Sequence, residues 1–469
     1  MQVTESGTAG GENELICIVG AGPAGLAMAR ALKRAGLPFE VLERHSDVGG
    51  LWDPANPGSA IYESAHFISS RDQSGFFDFP MPNSFPDYPS HRDILRYTRE
   101  FAVAYGLRAN IQCGVEVKSI EPDGKLWRVT QSDGQVNRYK AVICANGVNW
   151  HPRLPNWPGQ FDGTIRHSVS HRKATDFQGK RVLIVGLGNS GADIACDAAN
   201  NADAAFVSLR RGYHFIPKHL FGIPSDEFAR RLRGWPLWIR RPLFGLLLRM
   251  LVGNLTRWGL PRPDHRLFET HPLMNSQLIH HLQHGNIAVR GDIVRLDGRS
   301  VHFADGHTET VDEIVCATGY DMRIPFLADH YFDWDGGRPQ LYMTAFNRRH
   351  PNLFGIGHLE TNSSAYTLFD HIAHLIAQNL ADQARNPGRA AAFANRMKTD
   401  HPDLTGGIHF VDSPRHKAYV EIDAYKRAAE RLRRDMGWAA LRPGYFDPIQ
   451  KSFTDYSNPA KNRVELSRI

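Results

Sequence analysis

Six glycines in two like groups are the residues whose spacing implies chemistry most directly. Gly20, Gly22 and Gly25 form G-x-G-x-x-G, and Gly186, Gly188 and Gly191 form it again, with Asn189 and Ser190 inside the second turn. In such a turn the first glycine makes the tight bend. The second lets the backbone approach a pyrophosphate, and the third lets the next helix pack close to its strand. Free N–H groups and the helix macrodipole then favour the phosphates. One group alone is a weak signal, since glycines punctuate many turns. Here each follows an apolar run and opens a helix-like stretch.

The residues that end the next strand separate the two sites. Glu43 lies 23 residues after Gly20, where a carboxylate accepts hydrogen bonds from ribose hydroxyls. Arg210 and Arg211 lie 24 and 25 residues after Gly186, where guanidinium groups suit a ribose 2′-phosphate that a carboxylate would repel. The first site therefore reads as FAD- or NAD-binding and the second as NADPH-binding, and together they imply hydride transfer from NADPH to a bound flavin. The five cysteines, Cys17, Cys113, Cys144, Cys196 and Cys316, include no C-x-x-C. With no dithiol, electrons go to oxygen, to an external acceptor, or through oxygen into a substrate.

These residues need strands and helices to hold them. Leu15 to Val19, a helix from Leu26 to Arg34 and Phe39 to Glu43 form a strand, helix, strand unit; Arg181 to Val185, Ala192 to Ala199 and Ala204 to Leu209 form a second. Another strand, Ala141 to Ala145, is followed by His151 to Pro158, whose three prolines mark a linker. Residues 221–258 read as an inserted helical region. Strands follow at Ile287 to Leu296, Val301 to Phe303 and Glu313 to Ala317, closed by Ala317-Thr318-Gly319-Tyr320. A strand at Leu353 to Gly357 and helices at Thr367 to Gln383 and Val420 to Arg434 complete the pattern, with a polar stretch from Arg442 expected along the surface. The expected fold is α/β with two Rossmann-like dinucleotide-binding domains, the NADPH domain inserted into a discontinuous FAD domain. The boundaries are 1–158 and 323–440 for FAD, 159–322 for NADPH, and 441–469 for a tail.

Composition bounds the rest. The 469 residues are 42% hydrophobic and 22% charged, which excludes disorder, and the uncharged, mainly apolar stretch Leu15 to Ala29 is too short and glycine-rich to span a bilayer. A net charge of +6 without a basic block argues against nucleic acid. The polar, acidic N-terminus does not read as a signal peptide, and scattered odd cysteines fit a reducing cytoplasm. The histidines of His280-His281-x-x-His284 and His371-x-x-His374 lack further ligands at metal spacing, so no metal is expected. Trp235 to Trp258, with Arg240, Arg241, Arg249 and Arg257 among apolar residues, is expected to cover a substrate entrance or make a homodimer contact, with peripheral membrane contact as the alternative.

Nearly the whole chain resembles the flavin-containing monooxygenases, close to the Baeyer-Villiger monooxygenases. The resemblance rests on the first glycine motif; Glu43 with Gly49-Gly50-Leu51-Trp52; Asp78-Phe79-Pro80-Met81-Pro82 after Tyr62; Gly188-Asn189-Ser190-Gly191; and Ala317-Thr318-Gly319-Tyr320. The fingerprint F-x-G-x-x-x-H-x-x-x-(Y/F) is met at Phe161, Gly163 and His167, with His171 in place of the final aromatic residue. An Asn that faces the flavin in the family is replaced by Ile68, which leaves His66 as a candidate donor beside it. The resemblance implies FAD, NADPH/NADP+, dioxygen and a small-molecule substrate. It implies transfer of one oxygen atom to an amine or sulfide through a flavin 4a-hydroperoxide. Ketone oxidation of the Baeyer-Villiger type, an NADPH-dependent oxidase or electron-transfer reductase, and a flavin-binding interaction protein are the alternatives.

Overall fold

The computed structural model describes residues 14–447; the N-terminal stretch and the tail beyond residue 447 lie outside the described residues. β1 (Ile16–Val19) is buried at all four positions, as a central parallel strand requires. α1 (Pro23–Ala35) follows. It begins earlier than the apolar pattern suggests, because proline is tolerated in a first turn, and it ends where Gly36 turns left-handed at φ +64°. β2 (Phe39–Glu43) lies beside β1. α2 (His91–Ala104) starts at a capping box of Ser90 and Asp93. β3 (Ile111–Cys113) and β4 (Ala141–Cys144) extend the sheet on either side, and an antiparallel ribbon, Val117–Asp123, Leu126–Gln131 and Val136–Tyr139, joins them.

The chain then crosses to a second parallel sheet. β5 (Thr164–His167) and β6 (Arg181–Val185) lead into α3 (Asn189–Asn201) and β7 (Ala204–Ser208). The helical region follows, as Ser225–Arg231, α4 (Leu237–Val252) and a turn at Leu255–Trp258. β8 (Ile287–Arg290) and β9 (Glu313–Cys316) complete the sheet in the order β5-β9-β6-β7-β8.

The single strand expected at Ile287 to Leu296 is two. The Gly291 N–H donates to Asp305 and the Ile293 N–H to Asp292, which bends the chain into a separate four-stranded sheet with Gly159–Phe161. Tyr320–Asp321 pairs antiparallel with His151–Pro152, so the linker and the Ala-Thr-Gly-Tyr segment cross side by side. The chain rejoins the first sheet as β10 (Leu353–Gly355) against β4, giving the order β10-β4-β1-β2-β3.

α5 (Ala365–Arg385) shares the core of the first sheet with α1, and the buried Arg30–Asp370 ion pair joins them. α6 (Ile422–Met436) packs into the same core. The stretch after Arg442 is not wholly superficial: Phe446 is buried, its N–H donates to Asp78, and its ring lies 4.0 Å from the Arg30 guanidinium. A buried cation offers an aromatic ring a favourable face, which the polar composition of the segment concealed. No helix among the described residues is long and apolar enough to cross a membrane.

Burial leaves many histidines neutral. Eleven have values held below the usual range, mainly by desolvation, with His358 and His374 down to about 3. Three carboxyls, Glu100, Asp193 and Asp370, are pushed up to about 6, again by burial. A histidine depressed in the folded state takes up its proton only in the unfolded chain, so stability falls as pH drops below about 6.5. A raised carboxyl acts oppositely over the same window, but the histidines outnumber these. His358 and His374 each remove about 1.4 kcal/mol per pH unit below about pH 6. Thermal melts are expected to show a falling Tm from pH 7 to pH 5, and a level or rising Tm contradicts this.

Candidate active site

Both glycine turns sit at the carboxyl ends of central strands, where parallel α/β sheets bind ligands. In the first, Gly20 is left-handed at φ +109°, and a Cβ there would lie 2.6 Å from the Ala145 carbonyl oxygen. A Cβ on Gly25 would lie 1.9 Å from the Gly20 oxygen, whereas one on Gly22 would meet only Gly50 Cα at 3.5 Å. The outer two glycines are therefore demanded by the fold itself. The middle one faces space that a side chain would fill, and no side chain caps α1. That cradle fits a pyrophosphate.

Gly49 and Gly50, both with positive φ, bring a short turn, Gly50–Trp52, over the same space; a Cβ on Gly50 would lie 2.8 Å from Gly22 Cα. The Asn56 amide donates to the Gly50 carbonyl and the Ser59 hydroxyl to that of Leu51. Glu43 is buried, accepting from the N–H of Ala21 at 2.6 Å and that of His45 at 2.8 Å. It thus steadies the turn as well as ending β2, and each oxygen keeps a lone pair for a ribose hydroxyl.

The second turn repeats the division of labour. Cβ atoms on Gly186 and Gly191 would lie 2.8 Å from the Ala317 oxygen and 2.3 Å from the Gly186 oxygen, while one on Gly188 would meet nothing within 4 Å. The Asn189 side chain donates to the Pro272 carbonyl and accepts from the Met274 N–H, which fastens a neighbouring loop to the helix start. Arg210 and Arg211 follow β7 as Glu43 ends β2. Arg210 is exposed and makes no ion pair among the described residues; Arg211 reaches over the Tyr213 ring at 6.0 Å.

Thr318, Gly319 and Tyr320 stand where the two crossings pair. The Thr318 hydroxyl donates to the Arg153 carbonyl, and the Gly319 carbonyl accepts from the Arg153 N–H and from His167 Nε2 at 2.9 Å. His167 Nδ1 accepts from the Val169 N–H, so the ring is held as the Nε2–H tautomer, edge-on to Tyr320. A Cβ on Gly163 would lie 2.4 Å from the Asp312 oxygen. The fingerprint residues thus fasten the crossing beside the second turn.

His171 has a structural reason. It is fully buried, stacked on Phe177 with ring centres 4.9 Å apart, and paired through Nε2 with Asp197 at 2.9 Å. Asp197 also accepts from Ser64, and one helical turn earlier Asp193 accepts from the Tyr62 hydroxyl at 2.9 Å and from the Asn275 amide. Burial pushes Asp193 up to about 6. Tyr62, Ser64, Asp193, Asp197 and Asn275 were not among the expected site residues. Two aspartates four apart in an otherwise alanine-rich helix are the signal that could have found them.

This network pins the segment that carries His66 and Ile68. The segment is extended only at His66, which bridges Ser90; Ile68 begins a bend, so the two do not alternate along one strand. His66 is exposed with Nδ1 2.8 Å from the Ser64 carbonyl, which makes Nδ1 the donor and leaves Nε2 of the neutral ring an acceptor. The neutral ring therefore offers Nε2 as an acceptor and not as the donor expected beside Ile68. Between them Phe67 turns inward, 5.2 Å from the Trp52 ring and 5.5 Å from that of Tyr366 at the start of α5.

Two dinucleotide cradles on one chain, one bounded by a carboxylate and one by two arginines, define a two-site flavoprotein oxidoreductase. The model of the family described as flavin-binding monooxygenase-like matches residues 13–401. Dimethylaniline monooxygenase [N-oxide-forming] 2 of Rattus norvegicus is 30% identical over 81% of this chain and 76% of its own. Probable indole-3-pyruvate monooxygenase YUCCA3 of Arabidopsis thaliana is 27% identical over 82% of this chain and 91% of its own. Among solved structures, ε-caprolactone-bound cyclohexanone monooxygenase superimposes with a TM-score of 0.67 at 19% identity, covering 90% of this chain and 98% of that one. The flavin-containing monooxygenase of Stenotrophomonas maltophilia gives 0.61 at 19% identity, covering 79% and 98%. The chain belongs to the flavin-binding monooxygenase-like family. It is an FAD-dependent monooxygenase that uses NADPH and dioxygen.

Proposed function

We propose that this enzyme transfers one oxygen atom to the nitrogen or sulfur of a small amine or sulfide, with FAD at the first turn and NADPH at the second. The paired cradles with opposite partners, Glu43 and Arg210-Arg211, are the observation that carries the reading. The division of the chain is 1–158 with 323–440 around FAD and 159–322 around NADPH. When bound, FAD reduced by NADPH would activate dioxygen, which supplies the transferred atom while its second oxygen leaves as water.

The protein's own residues bind, orient and exclude water. Gly20, Gly22, Gly25, Glu43, Gly50, Leu51 and Trp52 hold one dinucleotide. Gly186, Gly188, Asn189, Ser190, Gly191, Arg210 and Arg211 hold the other, with Thr318, Gly319 and Tyr320 keeping the second turn in place. Ile68 presents an apolar surface, and His66 Nε2 offers a hydrogen-bond acceptor. The N-oxide-forming relative supports an amine substrate.

A second reading rests on a cavity of about 290 Å³ lined by Arg71, Arg233 and Lys426 with Asp72 as its one acid. Phe76, also on its wall, stacks 4.6 Å from Tyr366, one ring away from Phe67. Arg71 pairs with Asp72 and Arg233 with Asp423, so Lys426, with no ion pair among the described residues, is the cation left to meet a carboxylate such as that of an oxo acid.

A product screen over a tertiary amine, a sulfide, a ketone and a 2-oxo acid tests both readings. An N- or S-oxide is expected, and product from the ketone or oxo acid alone overturns the first. His66→Ala and Ile68→Asn are expected to change the NADPH consumed per product formed. Unchanged coupling in both variants places neither residue at oxygen transfer.

The arginines set the cofactor preference. A charge-assisted contact is worth about 1.5 to 3 kcal/mol, so Arg210→Ala or Arg211→Ala is expected to weaken NADPH roughly tenfold to a hundredfold and leave NADH nearly unchanged. Equal losses for both cofactors would show that neither guanidinium meets the 2′-phosphate.

A further inference from the structure

Between Glu227 and Asp264 the chain has eight arginines, no lysine and no acidic residue. Three of them are paired: Arg230 with Glu227, Arg233 with Asp423 and Arg241 with Glu269. Arg231, Arg240, Arg249, Arg257 and Arg262 make no ion pair among the described residues. α4 lies at the centre of this segment. Phe244 and Leu248, four apart, are its buried residues. Four-residue spacing on the opposite side aligns Trp238, Pro242, Leu246 and Met250, with Leu243 beside them. Trp238 is 76% exposed, Met250 68% and Leu246 56%, and Phe221 and Trp235 stand exposed nearby at 67% and 49%. Isolated apolar residues on a surface need no explanation, but a run of this size does when the exposed, unpaired Arg249, three residues from Leu246, shares its face and the flanking segment is rich in arginine without acid.

We propose that this face of α4 docks on the surface of a bilayer containing anionic lipid. The charge decides the occupant. A second copy would bring the same arginines against these, while the neighbouring carboxylates Glu227, Glu269 and Asp423 are already paired with Arg230, Arg241 and Arg233. Anionic headgroups supply the missing negative charge, and the acyl boundary takes up Trp238, Leu246 and Met250. At 1.5 Å per residue, the 16 residues of α4 extend about 24 Å, short of a hydrocarbon core, so the helix lies along the interface. Tryptophan and arginine suit that depth, where one end of the side chain is apolar and the other meets headgroups.

The test uses the full chain with flavin bound, sedimented with vesicles of phosphatidylcholine alone or with about a third phosphatidylglycerol. Binding is expected to the anionic vesicles only, with a blue shift of tryptophan emission, and to weaken as salt rises. Replacing Trp238, Leu246 and Met250 together by serine is expected to abolish it. Arg249→Gln with Arg257→Gln is expected to weaken it about 25-fold, roughly fivefold for each charge. NADPH oxidation by both variants is expected to match the parent, which shows that they fold. The proposal is overturned if the parent ignores anionic vesicles or if both variants bind as the parent does. It is also overturned if the parent ignores vesicles but forms dimers that the triple variant loses, since the occupant is then a second copy.

Discussion

Gly22→Val is expected to yield a folded, colourless protein. Gly22 has φ −72° and ψ −178°, an extended conformation that valine adopts without strain, and the added Cβ meets only Gly50 Cα at 3.5 Å. The fold therefore tolerates the substitution. The valine branches instead extend past Gly50 into the space in front of the first turn, where the pyrophosphate is proposed to lie. Losing two charge-assisted contacts at about 1.5 to 3 kcal/mol each weakens FAD by a hundredfold or more. Gly25→Ala is the contrasting control, because its Cβ would lie 1.9 Å from the Gly20 oxygen and the chain itself must shift. Flavin absorbance measured beside circular dichroism checks the pair. Full flavin content in Gly22→Val would show that the first turn does not hold the pyrophosphate.

Gly188→Val is expected to give the complementary result: a yellow protein whose flavin NADPH no longer reduces. Gly188 is also extended, at φ −73°, and a Cβ there would meet nothing within 4 Å, so only a bound dinucleotide feels the change. Anaerobic mixing with NADPH is expected to bleach the parent flavin quickly and the variant at least a hundredfold more slowly at equal cofactor concentration. Dithionite is expected to bleach both, which shows that the variant's flavin remains reducible. Equal NADPH rates in the two proteins would contradict the assignment of the second site.

The two cradles were legible in the sequence because glycine spacing reports backbone geometry directly. Gly20, Gly25, Gly186 and Gly191 occupy positions that no other residue can take without a clash, whatever the rest of the chain does. The sign of the residues after β2 and β7 was legible for the same reason, since both lie a fixed distance beyond the turn. The network around Asp193 and Asp197 was not. Tyr62 and Asp193 are 131 residues apart, and the paired aspartates of α3, though a local sign of buried polar contacts, do not identify Tyr62 as a partner. The Trp52, Phe67 and Tyr366 contacts likewise exist only once α5 has returned to the first sheet. Other features left readable local signs: Ser90 with Asp93 ahead of α2, and Gly291-Asp292 at the bend after β8. Phe446 shows the limit of composition, because a polar segment still places one aromatic ring over a buried guanidinium.

The most direct test of the whole account is a single turnover assay under isotope-labelled dioxygen, with NADPH and a tertiary amine or sulfide as substrate. The two cradles predict that each NADPH consumed delivers one labelled oxygen atom to the product's nitrogen or sulfur, with little hydrogen peroxide released. NADPH oxidation that yields only hydrogen peroxide, or a product whose oxygen comes from water, would contradict it.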